Sequence, residues 1–146
     1  MKIAVSACLM GDNVRYDGSN KRNKELIRLL ESHEIVRICP EAMAFAIPHP
    51  PIELQHERVI DSAGFDHTEE LEAACKECLM KIEGCDLVIL KSRSPSCGSG
   101  EIYDGSFSGT LIKGNGLFAA LCLSENYQVY TENDLKIIKD VLDRSL

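Results

Sequence analysis

Three cysteines occupy equivalent places in this chain of 146 residues. Cys8 follows the β-rich run Lys2–Ala7, and Cys39 follows Ile35–Ile38. Cys97 stands at the centre of Lys91–Gly109, a serine- and glycine-rich run that directly follows the apolar Asp86–Leu90. Thiolate is a soft ligand suited to zinc, cuprous copper or an iron–sulfur cluster. Three protein thiolates, rather than four, leave one coordination position for water or substrate. Any one of them, taken alone, also reads as a buried small hydrophobe, since cysteine is among the most buried residue types. Three that each lie within two residues of Ser, Pro or Gly at a strand end favour a site.

The other four cysteines read differently. Cys75 and Cys78 form a CxxC, but they fall on the apolar stripe of an amphipathic helix with Leu71, Ala74, Leu79 and Ile82. A reactive CxxC needs its first thiol at a helix N-terminus, so this pair reads as core. Cys122 lies in the apolar segment Gly116–Ser124 and reads as core too, while Cys85, beside Gly84 at a helix end, reads as inert.

Charged and hydroxyl groups gather near the same strand ends. Arg15, Tyr16, Asp17 and Gly18 follow Cys8 by one loop, and Glu41 follows Cys39 by two residues. Ser94, Ser96, Ser99 and Glu101 surround Cys97, with Lys91 and Arg93 at the start of its loop. Gly98 and Gly100 let backbone approach a ligand, and a loop of this kind can also form an anion nest. The Walker pattern is absent, however, and no GxGxxG follows the first strand, which disfavours nucleotide hydrolysis. The four histidines are scattered without ligand spacing; only His49, in Pro48-His49-Pro50-Pro51, lies near a candidate site loop.

For the three cysteines to meet, the elements before them must end on one edge. Strand and helix signals alternate along the chain. Strands are expected at Lys2–Ala7, Ile35–Ile38, Asp86–Leu90 and Gln128–Tyr130, with Val59 and Ile60 in a short edge strand or hairpin. Helices are expected over Asn20–Ser32, capped by Ser19 or Asn20, from Thr68 to Gly84, over Gly116–Ser124, and from Thr131 through Arg144. Glu41–His67 and Lys91–Gly109 read as loops. The order β-α-β-α-β-α-β-α predicts a parallel sheet with helices on both faces. All its strands then point one way, and Cys8, Cys39 and Cys97 open onto one crevice.

Composition sets the frame. The length suits one domain, residues 1–146, able to bury a core without disulfides. The net charge of −7 argues against a general nucleic-acid binder, which needs excess Lys and Arg to displace counterions. No run is long enough to span a membrane, and the N-terminal apolar stretch is too short for a signal peptide. A cytoplasmic location is therefore expected, in which the seven cysteines are core residues, catalytic thiols or metal ligands rather than disulfides.

Five segments together resemble one family: Ser6-Ala7-Cys8-Leu9, Arg15-Tyr16-Asp17-Gly18, Cys39-Pro40-Glu41, Pro50-Pro51-Ile52-Glu53 and Lys91-Ser92-Arg93-Ser94-Pro95-Ser96-Cys97-Gly98-Ser99-Gly100. This is the small bacterial and archaeal domain that includes the thiouracil desulfidases of the TudS type. The resemblance covers nearly the whole chain, in order. It implies an α/β fold, a three-layer Rossmann-like or flavodoxin-like sandwich with a mostly parallel sheet of four or five strands. It implies a [4Fe-4S] cluster held by Cys8, Cys39 and Cys97, with a fourth iron open to the sulfur of a thiolated pyrimidine and prone to oxidative loss in air. It also implies a hydrolytic desulfidase that replaces that sulfur with oxygen from water. Proton movement then needs a carboxyl and a hydroxyl near the cluster: Glu41 and Ser94 are the first choices, with Ser96 and Glu101 next. Arg15, Asp17, Lys91 and Arg93 are candidates to orient substrate or close the site.

Relatives usually carry Pro-Arg-Pro-Pro where this chain has Pro48-His49-Pro50-Pro51, so His49 replaces an arginine in a loop expected to line the site. Two other readings of the same residues stand beside the desulfidase. One is a sulfurtransferase with Cys97 as persulfide carrier; the other is a non-catalytic zinc- or cluster-binding module. The expected substrate is a small molecule, with nucleic acid disfavoured unless another chain supplies basic surface.

Overall fold

The structure is a computed structural model that describes residues 1–144. Its centre is a parallel sheet of four strands, β1 (Lys2–Ser6), β2 (Glu34–Ile38), β5 (Leu87–Leu90) and β8 (Val129–Thr131), in the order β2-β1-β5-β8. Numbered within the sheet this is 2-1-3-4, the flavodoxin-like winding, whose ligand crevice lies between the first and third strands. Here those are β1 and β5.

Alternation along the strands builds two cores. Ile3 and Val5 of β1, with Leu87 and Ile89 of β5, pack against Leu26 of α1 (Lys24–Leu29) and Ile138 and Leu142 of α5 (Leu135–Arg144). Ala4, Val88 and Leu90 face the other way, onto α3 (Thr68–Lys81) and α4 (Leu117–Ser124). Nine of these ten strand and helix residues, Leu142 excepted, are at most 2% exposed. Cys75, Cys78 and Cys122 are fully buried in the second core, as their helical spacing predicts.

Local structure departs from the sequence reading at five places. α1 starts at Lys24, where the Asn23 side chain caps it by accepting from the Leu26 N–H at 3.0 Å. The residues before it are spent stitching the first crossover: the Lys21 and Asn23 N–H groups donate to the carbonyls of Cys8 and Leu9. Residues Pro40–Ala44, read as loop, form a short helix α2 with Cys39 as N-cap and proline at its first position. Proline suits that position, where its missing N–H has no intrahelical partner.

The stretch after α2 holds a hairpin, β3 (Ile52–Gln55) with β4 (Arg58–Asp61), longer than Val59 and Ile60 alone suggest. The Lys91–Gly109 run is not loop throughout. β6 (Glu101–Tyr103) pairs with β7 (Leu111–Lys113) in a second antiparallel hairpin, hidden in sequence by the serines and glycines around it. At the last helix, Asp134 accepts from the Thr131 N–H at 2.9 Å as the capping pattern predicts, although α5 itself begins at Leu135.

One ion pair ties the first hairpin to α3. His67 Nε2 lies 2.8 Å from the Asp61 carboxylate, with Asp61 also accepting from the Ala63 and Phe65 N–H groups. The hydrogen bond to Asp61 raises the His67 pKa, and the same bond lowers that of Asp61. The His67 contribution is complete below its unfolded value of about 6.5 and is lost as pH rises through its raised folded value. The Asp61 contribution is complete above about 3.9 and is lost as pH falls through its lowered one. The difference in urea midpoint between the wild type and His67→Gln should therefore be largest near pH ~5 and shrink steadily toward pH ~9. A difference that grows with pH over that range would contradict this account.

Candidate functional site

A cavity of about 740 Å³ opens at the carboxyl edge of the sheet, across the β1/β5 crevice. Cys8, Cys39 and Cys97 all line it. Cys8 lies in the single 3-10 turn Ala7–Met10 that follows β1, ended by Gly11 in the left-handed region at φ 103°. Cys39 ends β2 and caps α2, its Sγ accepting from the Ala42 N–H at 3.4 Å. Cys97 follows β5 and is 5% exposed.

The loop that carries Cys97 is seated on the first turn of α4. The carbonyl of Pro95 accepts from the Leu117 N–H, that of Ser96 from Phe118 and Ala119, and that of Gly98 from Gly116. These are the N–H groups that a helix start leaves without intrahelical partners. Gly116 makes this approach possible: a Cβ there would sit 2.5 Å from the Ser96 carbonyl carbon. Gly98 is equally tight, because its Cβ would lie 2.6 Å from the Ser94 carbonyl oxygen. Inside the loop, Ser94 Oγ accepts from the N–H groups of Ser96 and Cys97, and it lies 3.0 Å from Ser96 Oγ. Ser96, 1% exposed, donates from Oγ toward Cys97 Sγ at 3.7 Å.

Burial dominates the electrostatics. It raises the Cys8 pKa, against the opposing charges of Arg15 and Lys91. It raises Cys39 to about 12, against the Ala42 N–H, and Cys97 well above its ordinary value. Cys8 acts on Cys39, and Cys39 on Cys97, so the three thiols are near neighbours electrostatically. The carboxyl of Glu41 is pushed up to about 7 by burial, with Arg15 pulling the other way. A carboxyl near that value can both give and take a proton at neutral pH.

Among the described residues no three His, Cys, Asp or Glu side chains are gathered tightly enough to hold a single metal ion. Two buried thiols, Cys8 and Cys97, and the part-buried Cys39 line one wall, and such soft donors are of the kind an iron–sulfur cluster takes. Binding there would displace the thiol protons, since the ligand is the thiolate. A persulfide carrier needs a low-pKa nucleophile, and burial drives Cys97 in the opposite direction.

Of the residues singled out from sequence, Cys8, Cys39, Cys97, Glu41, Ser94, Ser96, Arg15, Lys91 and Arg93 line the cavity. Asp17 and Glu101 are not among its lining residues. Asp17 is held in its own turn by the N–H and hydroxyl of Ser19. Glu101 is 54% exposed, 3.6 Å from Arg93. Lys91 does not reach freely into the cavity, because its ammonium lies 3.0 Å from Glu132. His49 lies behind the wall rather than in it. Its N–H donates to the Tyr16 carbonyl at 2.8 Å and its ring packs on Phe45.

Tyr16, named from sequence beside Arg15, also lines the cavity, and so do Ser6 and Glu53 of the motif segments and Lys21; sequence reasoning missed Tyr103, Phe107 and Asn133. Glu53 stands inside one of the motif segments, and its carboxylate accepts from the N–H groups of Gly105 and Phe107. That bond pins the tip of the second hairpin over the first. Tyr103 and Phe107 carry no spacing signal, since they reach the cavity only through the hairpin that the loop reading left out.

Gly116 gives a direct test of the seating. Its φ is −64°, so alanine meets no backbone strain there and acts only through the clash with Ser96. Gly116→Ala should cost about 1–3 kcal/mol in urea unfolding, while Gly109→Ala, with φ 78° and open space at its Cβ, should cost about 1 kcal/mol from backbone strain alone. Equal costs would mean that the contact yields freely.

A model of the 2-thiouracil desulfurase family matches residues 3–134. The chain is 38% identical over 149 aligned positions to the uncharacterized protein YbbK of Bacillus subtilis (strain 168), covering 93% of this chain and 99% of that protein. It is also similar to a solved structure described as the [4Fe-4S]-dependent thiouracil desulfidase TudS, with a TM-score of 0.88, 37% identity and 97% of each chain covered.

Proposed function

Because the chain belongs to the 2-thiouracil desulfurase family, we propose that its cavity is the active site of a desulfidase acting on a thiolated pyrimidine such as thiouracil. The enzyme is a [4Fe-4S]-dependent desulfidase. The observation that carries the assignment to this site is the convergence of Cys8, Cys39 and Cys97 from three strand ends onto one cavity. These three would hold the cluster, which would supply Lewis-acid iron to accept the departing sulfur. The reaction is a hydrolysis: water adds its oxygen to the ring carbon, the C–S bond breaks, sulfide leaves, and no net electron transfer is needed.

The protein's own groups supply binding and protons. Glu41 takes a proton from the attacking water, a task its raised pKa suits. The Ser94 hydroxyl, linked to Ser96 at 3.0 Å, carries a proton on the Cys97 side. Arg15 faces the cavity and lowers the pKa of both Cys8 and Glu41, so it orients the substrate while offsetting negative charge. Tyr16, Tyr103 and Phe107 give flat faces for a ring and help to exclude water. No helix among the described residues is long and apolar enough to cross a membrane.

Anaerobic reconstitution with iron and sulfide, followed by loss of thiocarbonyl absorbance from 2- or 4-thiouracil, tests this reading. Cys97→Ser should lose bound iron and turnover together. Glu41→Gln should keep its iron and lose turnover by ~10²–10⁴-fold. Full turnover by protein freed of iron would overturn the proposal.

A further inference from the structure

The carboxyl edge of the sheet carries one partly buried ion pair that the proposed chemistry does not use. β5 and β8 are parallel neighbours with Leu90 opposite Thr131, so Lys91 and Ser92 leave β5 beside the point where Glu132 leaves β8. Glu132 is 13% exposed and Lys91 18%. One oxygen of Glu132 accepts from the Ser92 N–H at 2.8 Å. The other accepts from the Ser92 hydroxyl at 2.9 Å and from Lys91 Nζ at 3.0 Å. Lys91 Nζ also donates to the Ser92 carbonyl at 3.0 Å, and the Lys91 N–H donates to Ser6 Oγ at 2.9 Å.

A carboxylate with three donors in a water-poor corner is a fixed anchor. Burial works against its charge, but the Ser92 and Lys91 bonds outweigh it and hold Glu132 below the usual carboxylate range. The anchored residues are the first two of the segment that leads to Ser94, Ser96 and Cys97. The same corner borders Cys8, where the Lys91 charge and the Glu132 charge act in opposite directions. The pair thus fixes the root of the loop and offsets the Lys91 charge beside that thiol, leaving Arg15 as the remaining cation acting on it.

We propose that Glu132 is a positioning residue for the desulfidase site. It anchors the root of the Cys97 loop through Ser92 and cancels the Lys91 charge next to Cys8. This inference rests on the reading of the cavity as a cluster site, and its test has one arm that does not need the cluster.

In cluster-free protein, Glu132→Ala should speed amide hydrogen exchange about tenfold in peptides spanning residues 91–98, with the β1 and α5 peptides unchanged. In reconstituted protein the readout is the reduction potential. Glu132→Gln leaves the Lys91 cation uncompensated and should shift the potential positive, Lys91→Met should shift it negative, and the double variant should return close to wild type. A potential unmoved by either single variant, or exchange at 91–98 equal to wild type, would overturn the role assigned to Glu132. Failure of the wild type to take up a cluster would sink the cluster site itself, and the exchange arm would then decide Glu132 alone.

Discussion

The site depends on one docking event, the seating of the Pro95–Gly98 backbone on the first turn of α4. A helix start presents N–H groups that nothing in the helix can satisfy, and the carbonyls of Pro95, Ser96 and Gly98 take four N–H bonds from Gly116 to Ala119. The loop is thereby closed against a helix that is itself packed into the core through Phe118, Ala119 and Cys122. A serine- and glycine-rich segment has little apolar surface of its own to fix it. Its order is borrowed from α4, which is why Gly116 leaves no room for a Cβ.

The second constraint is electrostatic. Three thiols and a carboxyl share a cavity wall where burial raises the pKa of each. The thiols of such a wall stay neutral by keeping their protons until a soft cation displaces them. Of the cations around it, Arg15 acts on both Cys8 and Glu41, while Lys91 is matched by Glu132 and Arg93 lies 3.6 Å from Glu101. The chain's net charge of −7 says nothing of this arrangement, because the balance at the site is set by side chains from different loops.

Much of the fold was legible because its signals are local. Buried parallel strands such as Leu87–Leu90 are continuous apolar runs bounded by turn residues, and the stripe of α3 falls at helical spacing even with two cysteines on it. The misses also have local causes. The hairpin of β6 and β7 has one buried residue per three-residue strand at most, Ile102, so no alternation rises above its serines and glycines. α2 follows the Cys39-Pro40 pair that ends β2, and a proline that stops a strand can equally open a helix. The start of α1 moved to Asn23 because the chain before it is held by the carbonyls of Cys8 and Leu9, a long-range demand that propensity does not record.

By itself the sequence determined the alternation of strands and helices, the three cysteines at the strand ends and the core role of Cys75, Cys78 and Cys122, since all of these follow from residue types at short spacing. The family motifs likewise marked which segments belong to the site. Only the tertiary structure decided which neighbours of those cysteines face the cavity. Glu41 and Ser94 turn inward, whereas Asp17 is kept in its own turn and Glu101 stays outside the lining. Glu53, Tyr103, Phe107 and Glu132 enter through contacts between segments distant in the chain. The physical reason is that a strand fixes where a residue begins, but the path of the following loop is set by hydrogen bonds to partners that may lie 40 or more positions away, as Ser92 and Glu132 do.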